Sequence, residues 1–341
     1  MVAWCPRLPA LAREGGSRST LWAGPEVLTR AMRCGDAAVQ GTVRQQSVAL
    51  RLGFASDEFG YAIDLGLPIP SASAFSLDPE IKREVIWSGP FLRSGNVLVE
   101  RRGPMAKAAE GRGWRAVAEH LNAFDSLFDQ LADPQAAPEA MVLRERIRGW
   151  RFYDHFRSDH QAPARLPQLG TRTPVLSHDG HDLAAAWQTI REIGDAEALA
   201  AAVDDAFPGA SVEIGMDDAR FQLRFLQDGL LRPLSAAELS DGTLRYLLWI
   251  AALHTPRPPE LMVLNEPETS LHPDLLPALA RLIAAASRRC QVWVVSHASR
   301  LIAALREQPE CNEIALEKSL SETRVAGQGL LDVPAWHWPE R

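Results

Sequence analysis

Residues 239–299 decide the fold, because they hold three short motifs in a fixed order. LSDGT at 239–243 opens an apolar helix, LMVLNEPE at 261–268 is an apolar run ending in carboxylates, and VWVVSH at 292–297 is an apolar run ending in a histidine. Each motif is common alone, but the ordered set is not. Together they predict a glycine loop, a carboxylate and a histidine gathered at one place in the molecule.

The first motif predicts a helix whose N-terminus is open to a ligand. Ser240 or Asp241 can cap a helix that starts at Gly242 and continues through apolar residues. A helix N-terminus offers unpaired N–H groups and the positive end of the helix dipole, which suit a phosphate. Gly242 lets another backbone approach closely. Taken alone, the motif is better explained by an ordinary capped helix.

The two apolar runs predict neighbouring parallel strands. Leu261–Leu264 and Val292–Val295 show no alternation, which is typical of strands buried on both faces. A helical pattern over Pro273–Ala286 connects them, and such a crossover places the carboxyl ends of both strands at one edge of the sheet.

Ligands bind at that edge in open α/β sheets. We therefore expect Glu266 and His297 to meet there, with Glu266 orienting or deprotonating a water and His297 contacting a phosphate or that water. The alternative is that both residues only cap the helices that follow them.

The remaining chain predicts an antiparallel sheet followed by helices, and three parts in all. The parts are an antiparallel β lobe over 1–105, a helical insert over 106–207 and a C-terminal lobe over 208–341. Period-two alternation predicts hairpins, and 3.6-residue spacing predicts helices. The predicted elements are hairpins over 47–67 and 211–227, strands over Val85–Trp87 and Asn96–Arg101, and helices over Trp114–Leu131, from Pro138 through Trp150, 183–192 and 196–206.

Two further stretches invite functional interpretations that we weigh against structural ones. WRFYDHFR at 150–157 interleaves rings with arginines, as a nucleic-acid surface would. The helical spacing of the rings instead favours a helix with its rings in the core. SHDGHD at 177–182 resembles a metal cluster, but Asp182 directly precedes a helical run and is better explained as its N-cap.

Composition limits the classes of function. The chain has 341 residues, 46% of them hydrophobic, and a net charge of −7, so it can hold one to three domains and gives no support to general nucleic-acid coating. Its four cysteines show no metal spacing, which favours free thiols in a reducing cytosol and hence a cytoplasmic protein. No apolar run reaches the length of a membrane span, so we expect no membrane contact.

As a set, the motifs resemble those of RecF/SMC-like ATPases of the AAA/ABC type. LSDGT resembles the signature loop, LMVLNEPE a Walker B strand with its catalytic glutamate, ETSLHP a D-loop and VVSH the switch histidine. The resemblance implies an α/β, ABC-type ATPase head with an antiparallel β lobe, a helical insert and a parallel-sheet lobe. It also implies ATP and Mg²⁺ as ligands, a homodimer formed on nucleotide binding, and a DNA or DNA-bound protein partner.

The resemblance also assigns roles to individual residues. It implies that Glu266 is the general base and that His297 senses the γ-phosphate. The signature loop would grip a nucleotide held by a second subunit, and part of the D-loop would lie across that interface. The signature residues are Ser240, Asp241, Gly242 and Thr243, and the interface residues are Ser270, Leu271 and His272.

Two departures from the family pattern bear on function. Asn265 stands where the family has a magnesium-linked aspartate, so it would reach the metal only through a water and without charge. No G-x-x-x-x-G-K-[ST] occurs in the sequence, and GGSRST at 15–20 has no lysine and no glycine at the required spacing.

We therefore expect a chain that lacks the P-loop strand, through truncation, a wrong start site or degeneration. The implied function is ATP hydrolysis coupled to DNA repair, recombination or phage defence. The alternative is a non-catalytic regulatory or binding subunit that acts through a partner.

Overall fold

The computed structural model describes residues 49–69, 71–74, 78–131, 133–154, 156–319 and 322–327. The described residues up to Arg148, together with those from Ile314 onward, form one compact unit, and Gly149–Glu313 form a second. The glycine-rich stretch 15–20 and the start of the predicted β lobe lie outside the described residues. The mixed α/β class predicted from the sequence, with antiparallel and parallel sheets, is confirmed.

The first unit is built on a six-stranded antiparallel sheet in which each strand pairs with the next along the chain. The alternating residues predicted to form a hairpin over 47–67 do so from Ala49 onward, and both further strand predictions are confirmed. A small hairpin of β14 and β15 also belongs to this unit. The strands are β1 Ala49–Ala55, β2 Phe59–Gly66, β3 Glu80–Ser88, β4 Val97–Arg102, β5 Met105–Glu110, β6 Gly113–Ala118, β14 Leu316–Ser319 and β15 Glu322–Val325.

The helix predicted over Trp114–Leu131 is wrong. Gly113–Ala118 is strand β6, which pairs with β5 across a turn where Gly111 has a φ of +60°. Glycine adopts that left-handed conformation without strain, so the turn closes a hairpin, and sheet pairing overrides the helical spacing. Only Leu127–Gln130, helix α1, is helical there, whereas the helix predicted from Pro138 is confirmed as α2, Pro138–Gly149.

The second unit contains a three-stranded parallel sheet in the order β13-β12-β7 and a separate antiparallel sheet. Its helices match the predicted ones closely. The strands are β7 Arg151–Tyr153, β8 Gln168–Leu169, β9 Ser211–Asp217, β10 Arg220–Leu226, β11 Leu234–Ser235, β12 Leu261–Asn265 and β13 Gln291–Val295, and the helices are α3 Leu183–Ile193, α4 Ala196–Ala206, α5 Asp241–Leu253, α6 Leu276–Ser287 and α7 Ser299–Arg306.

The predicted crossover between the two apolar runs is confirmed. Strands β12 and β13 pair in parallel from Leu261 opposite Gln291 to Asn265 opposite Val295, and α6 lies between them in the chain. β12 is buried on both faces, as expected, but β13 is not, since Trp293 is 37% and Val295 39% exposed. In the part of the chain that the structure describes, β13 pairs with β12 alone, so it forms an edge of this sheet.

The described residues among 150–157 do not form the predicted helix. Arg151–Tyr153 is strand β7, the third member of the parallel sheet. The prediction that its rings belong to the core is confirmed for Tyr153 and Phe156, whose ring centroids lie 6.1 and 4.7 Å from that of Trp249. Three residues are too few to show a period, which is why the sequence does not reveal the strand.

The predicted division into 1–105, 106–207 and 208–341 differs from the two compact units. β5 and β6 continue the antiparallel sheet past residue 105, and β7 joins a sheet whose other strands follow residue 208. The core of the second unit surrounds α5, in which every residue from Leu244 to Leu253 is buried. Within the described residues, no helix is long and apolar enough to cross a bilayer.

A buried polar cluster stabilises the first unit. The Glu84 carboxylate, fully buried, accepts hydrogen bonds from Tyr61 Oη (2.7 Å), Ser126 Oγ (2.6 Å) and Arg101 Nη1 (2.9 Å). Asp129 lies in helix α1, three residues after Ser126, and its Oδ2 is buried without a hydrogen-bond partner. Burial, with the charges of Glu84 and Asp125, raises the pKa of Asp129 to about 6.

We predict that Asp129→Asn stabilises the protein only above pH 4. The folded pKa of about 6 exceeds the unfolded value near 3.8, so ionisation of Asp129 costs nothing below pH 3.8 and its full penalty above pH 6. Discounted for partial exposure, the gain near pH 7 should be about 1–2 kcal/mol. Urea unfolding at pH 4 and pH 7 measures it. The exposed Asp57→Asn is the control, and an equal gain at both pH values would contradict the prediction.

Candidate functional site

The predicted carboxylate and histidine meet at the carboxyl edge of the parallel sheet. Glu266 directly follows β12, and His297 lies two residues after β13. His297 Nε2 lies 3.2 Å from Glu266 Oε1, and the two side chains are 82% and 48% exposed. A carboxylate and an imidazole within hydrogen-bond reach at an open strand edge can exchange a proton with a bound water.

The chain leaves β12 in a backbone conformation that its residues rarely adopt. Glu266 has a φ of +45° and Ser270 a φ of +63°, both in the left-handed region. The Glu266 N–H donates to the Val295 carbonyl at 2.8 Å, which anchors the turn to the neighbouring strand. Left-handed conformations of such residues cost free energy and persist only where the surroundings impose them. The segment 266–272, here called the 266–272 loop, is therefore shaped by its contacts.

Glu268 connects the 266–272 loop to the loop that carries His297. Its Oε1 accepts hydrogen bonds from Ser296 Oγ (2.8 Å), His297 N (2.9 Å) and Ala298 N (3.1 Å). Its Oε2 is buried and has no hydrogen-bond partner. Glu268 is thus held in place by donors, whereas Glu266 is exposed.

The LSDGT motif forms a capped helix, as predicted, but α5 begins at Asp241 rather than at Gly242. Of the two candidate caps, Ser240 takes the role. Its Oγ accepts from Thr243 N at 3.1 Å and lies 2.8 Å from Thr243 Oγ1. Both Ser240 and Asp241 are exposed, so the N-terminus of α5 is open to solvent.

Arg165 holds the segment that leads into α5. Its side chain is 6% exposed, and its Nη2 donates to Asp241 Oδ1 at 2.8 Å. The other donors of this guanidinium reach backbone carbonyls on both sides. These are the carbonyls of Ser158, Asp159, Ala236, Ala237 and Leu239. The sequence does not reveal this role, because the partners of Arg165 lie up to 76 residues away.

Arg245, on α5, connects the helix to the 266–272 loop. Its Nη1 donates to Thr269 O (2.8 Å) and Ser270 Oγ (3.3 Å), and its Nη2 donates to Phe156 O (2.8 Å). Burial lowers the pKa of this guanidinium, against the opposing charge of Asp241. The sequence predicts a helix that is apolar on most sides, and nothing local marks Arg245 as a connector.

Gly242 lies directly against the 266–272 loop. A Cβ built at this position would lie 2.7 Å from the carbonyl oxygen of Ser270, which is closer than real Cβ atoms approach. The glycine is therefore required by a backbone contact inside the chain. This contact and Arg245 together join the signature motif to the loop that begins with Glu266.

The remaining predicted interface residues have local structural roles as well. His272 caps the short 3₁₀ helix Pro273–Leu275, its Nδ1 accepting from Asp274 N at 3.3 Å. Leu271 is partly buried against the core of the second unit, whereas Ser270 is exposed.

The side chains at the carboxyl edge of the parallel sheet do not provide the ligands for a magnesium ion held by the protein alone. Asn265 is a half-buried neutral amide, and the Glu266 carboxylate is already paired with His297. Magnesium binding in nucleotide sites uses carboxylates together with substrate phosphates. Among the described residues, no group of three or more His, Cys, Asp or Glu side chains is arranged to hold a metal ion.

The SHDGHD stretch forms a polar turn before α3. Asp182 occupies the N-cap position, as predicted, but its side chain does not cap the helix. Asp182 Oδ1 instead accepts from Ser177 N (3.0 Å) and Ser177 Oγ (2.6 Å). The Asp179 carboxylate, 2.6 Å from His181 Nδ1, raises the pKa of His181.

A carboxylate and histidine at the carboxyl edge of a parallel sheet, beside a capped glycine-containing helix, are features of an ATPase-type α/β domain. Residues 22–303 match the family model described as "AAA domain, putative AbiEii toxin, Type IV TA system". That match covers more than half of the chain, which therefore belongs to this family of AAA-type ATPase domains. The AAA-type part of the resemblance stated from the motifs is confirmed by this match.

Several SMC head domains are similar to the chain at low identity. One is an SMC head bound to the C-terminal winged-helix domain of ScpA, with 10% identity, a TM-score of 0.39, and coverage of 82% of this chain and 78% of that one. Another is the SMC head from Thermotoga maritima, with 10% identity, a TM-score of 0.35, and coverage of 80% and 76%. A third is the Pyrococcus furiosus SMC head bound to the C-terminal domain of ScpA, with 10% identity, a TM-score of 0.37, and coverage of 80% and 78%. No curated protein matches the chain.

We predict that Gly242→Ala destabilises the second unit. The added methyl group meets the Ser270 carbonyl at 2.7 Å, so the backbone of α5 or of the 266–272 loop must shift. Overpacking of this kind costs about 1–3 kcal/mol in the free energy of unfolding. Urea unfolding measures the loss. Gly149→Ala is the matched control, because no atom beyond its chain neighbours and the backbone of its own helix lies within 4 Å of its Cβ position. A Gly242→Ala variant as stable as the parent would contradict the contact with Ser270.

Proposed function

We propose that this chain is an ATPase head in which Glu266 activates the attacking water and His297 contacts the γ-phosphate. The observation that carries the proposal is the Glu266–His297 pair, 3.2 Å apart at the carboxyl edge of a parallel sheet. Membership of a family of AAA-type ATPase domains supports ATP as the substrate. The reaction is hydrolysis of the β–γ phosphoanhydride bond.

Glu266 and His297 have different roles in the proposed hydrolysis. The exposed Glu266 carboxylate takes a proton from the water as its oxygen attacks the γ-phosphorus. The His297 ring donates a hydrogen bond to a γ-phosphate oxygen and keeps the phosphate and the water on the same side of the sheet. Because both groups lie at the end of β-strands, the sheet fixes their separation, which is how positioning contributes to the rate.

We further propose that the N-terminus of α5 serves a nucleotide held by a second copy of the chain. Ser240 is exposed, and its hydroxyl can donate to a phosphate while still accepting from Thr243 N. The N–H groups of the first turn add donors and the positive end of the helix dipole. Two heads paired in this way would enclose two nucleotides, with Ser270, Leu271 and His272 at the interface.

A second candidate function is favoured by one specific observation. The 341 residues contain no G-x-x-x-x-G-K-[ST], and a neutral amide stands at Asn265. Without P-loop amides and lysine, the β- and γ-phosphates lose their main cradle. The chain would then be a regulatory subunit that lends the N-terminus of α5 to a complete partner. Among coupled processes we place defence before DNA repair and recombination, because the family description names a toxin.

We predict that the 341-residue chain alone binds MgATP weakly. With helix N-terminal donors but no P-loop, the dissociation constant should be no tighter than about 1 mM, a binding free energy of about 4 kcal/mol. Isothermal titration calorimetry measures it. Ser240→Arg, which crowds the N-terminus of α5, is the control for residual binding there. A micromolar dissociation constant for the unmodified chain would contradict the prediction.

We predict that Glu266→Gln separates nucleotide binding from hydrolysis once a P-loop is supplied, by joining the strand and P-loop of a relative to the N-terminus. Glutamine keeps the size of the side chain but cannot take the proton, so kcat should fall about 10²–10⁴-fold. Trapped ATP should hold two chains together, seen as a doubled mass by light scattering.

Ser240→Arg in the same protein should leave ATP bound to each chain and abolish the doubling. Hydrolysis by Glu266→Gln at the parent rate would show that the general base is another residue. A parent chain that binds ATP but never hydrolyses it would favour the regulatory subunit.

A further inference from the structure

We propose that Glu268 is a positioning residue: its carboxylate fixes the loop that carries His297 and thereby keeps the His297 ring against Glu266. The inference rests on the proposed function in naming Glu266 and His297 as the reacting pair. It goes beyond that function because the sequence motifs assign Glu268 no role.

The hydrogen bonds of Glu268 converge on the residues around His297. One oxygen, Oε1, receives the hydroxyl of Ser296 and the backbone N–H groups of His297 and Ala298, all between 2.8 and 3.1 Å. These three residues are consecutive, and His297 is the middle one. A single carboxylate oxygen therefore sets where the Cα of His297 lies.

Glu268 also accepts the backbone N–H of the residue at the N-cap of α7, Ala298. Ala298 is the N-cap of α7 and has no side-chain hydrogen bond to offer. The N-terminal N–H groups of a helix need an acceptor, and a carboxylate there is further stabilised by the helix dipole. Hydrogen bonds to a charged acceptor are stronger than those between neutral groups, so this cap resists displacement.

The connection from Glu268 back to Glu266 is short and stiff. Only Pro267 separates them, its ring restricts φ, and its carbonyl accepts from Trp249 Nε1 at 3.0 Å. At the other end, the Glu266 N–H donates to the Val295 carbonyl at 2.8 Å. The chain that leaves β12 is thus joined to the chain that leaves β13 at two points. One is the bond from the Glu266 N–H to Val295, and the other is the set of bonds that Glu268 accepts. Movement of the His297 backbone away from Glu266 has to break the bonds that Glu268 makes.

The alternative is that Glu268 serves stability alone, as any helix cap does. A cap of that kind exists in the same unit, where Asp195 accepts from Ala198 N at 2.8 Å at the start of α4. Asp195→Ala is therefore the matched control for Glu268→Ala. Both changes remove a carboxylate that accepts a backbone N–H at a helix N-terminus, but only Glu268 contacts the loop of His297.

The experiment measures the ring signals of His297 by NMR in the full 341-residue chain without nucleotide, assigned with His297→Gln. The ring signals of His297 should shift in Glu268→Ala and should not shift in Asp195→Ala. The Glu266→Gln variant, which weakens the contact from the other side, should shift them too. In the double variant Glu266→Gln/Glu268→Ala the shifts should not add, because both single changes break the same contact.

The conservative variant gives a further readout. Glu268→Gln keeps an acceptor oxygen at the position of Oε1, so the ring signals should stay close to those of the parent. Parent-like ring signals in Glu268→Ala would overturn the proposal, as would shifts that simply add in the double variant. If Glu268→Ala does not unfold cooperatively, Glu268→Asp, one methylene shorter, decides by the same criterion. Since no nucleotide is present, these outcomes are independent of whether Glu266→Gln still hydrolyses ATP.

Discussion

Two buried guanidinium groups determine the shape of the loops around α5. Arg165 collects backbone carbonyls from the segments on both sides of it, and Arg245 does the same for the 266–272 loop and for Phe156. Burying a charge costs free energy unless it is hydrogen-bonded, and a planar fork with five N–H groups can bind several carbonyls at once. The Nη groups of Arg245 are bonded in this way, whereas its Nε is buried without a partner. Lysine, with one ammonium, cannot span these acceptors.

The strained conformations at Glu266 and Ser270 depend on the same contacts. Each has a positive φ that an isolated peptide would rarely populate. In this segment, Arg245 donates hydrogen bonds to Thr269 and Ser270, and Glu268 accepts hydrogen bonds from the residues around His297. The free energy spent on the strained backbone is therefore offset by buried hydrogen bonds. The result is a loop whose exposed carboxylate, Glu266, has a defined direction although little of the protein covers it.

Features that depend on neighbouring residues in the chain can be predicted from the sequence, whereas features that depend on residues far apart in the chain cannot. The crossover from β12 through α6 to β13 was predicted correctly, because uniform apolar runs and a helical period are local signals. From it followed the meeting of Glu266 and His297, which the structure places 3.2 Å apart. Strand β6 was mistaken for helix, since spacing alone could not show that Gly111 turns the chain back onto β5. The roles of Arg165 and Arg245 are not predictable from the sequence, because the residues that they bind lie up to 89 positions away.

Among the described residues, the edge of β13 that faces away from β12 has no partner strand, and this has a consequence for folding in a crowded cell. Gln291–Val295 carries no charge and no proline, two features by which natural edge strands prevent pairing with other chains. Its backbone groups and the Trp293 ring offer any extended chain a ready template. Whichever strand arrives first gains the hydrogen bonds, so the correct neighbour competes with every other copy being synthesised nearby. The yield of native protein should therefore fall as the rate of synthesis rises, as in a reaction of second order in chain concentration.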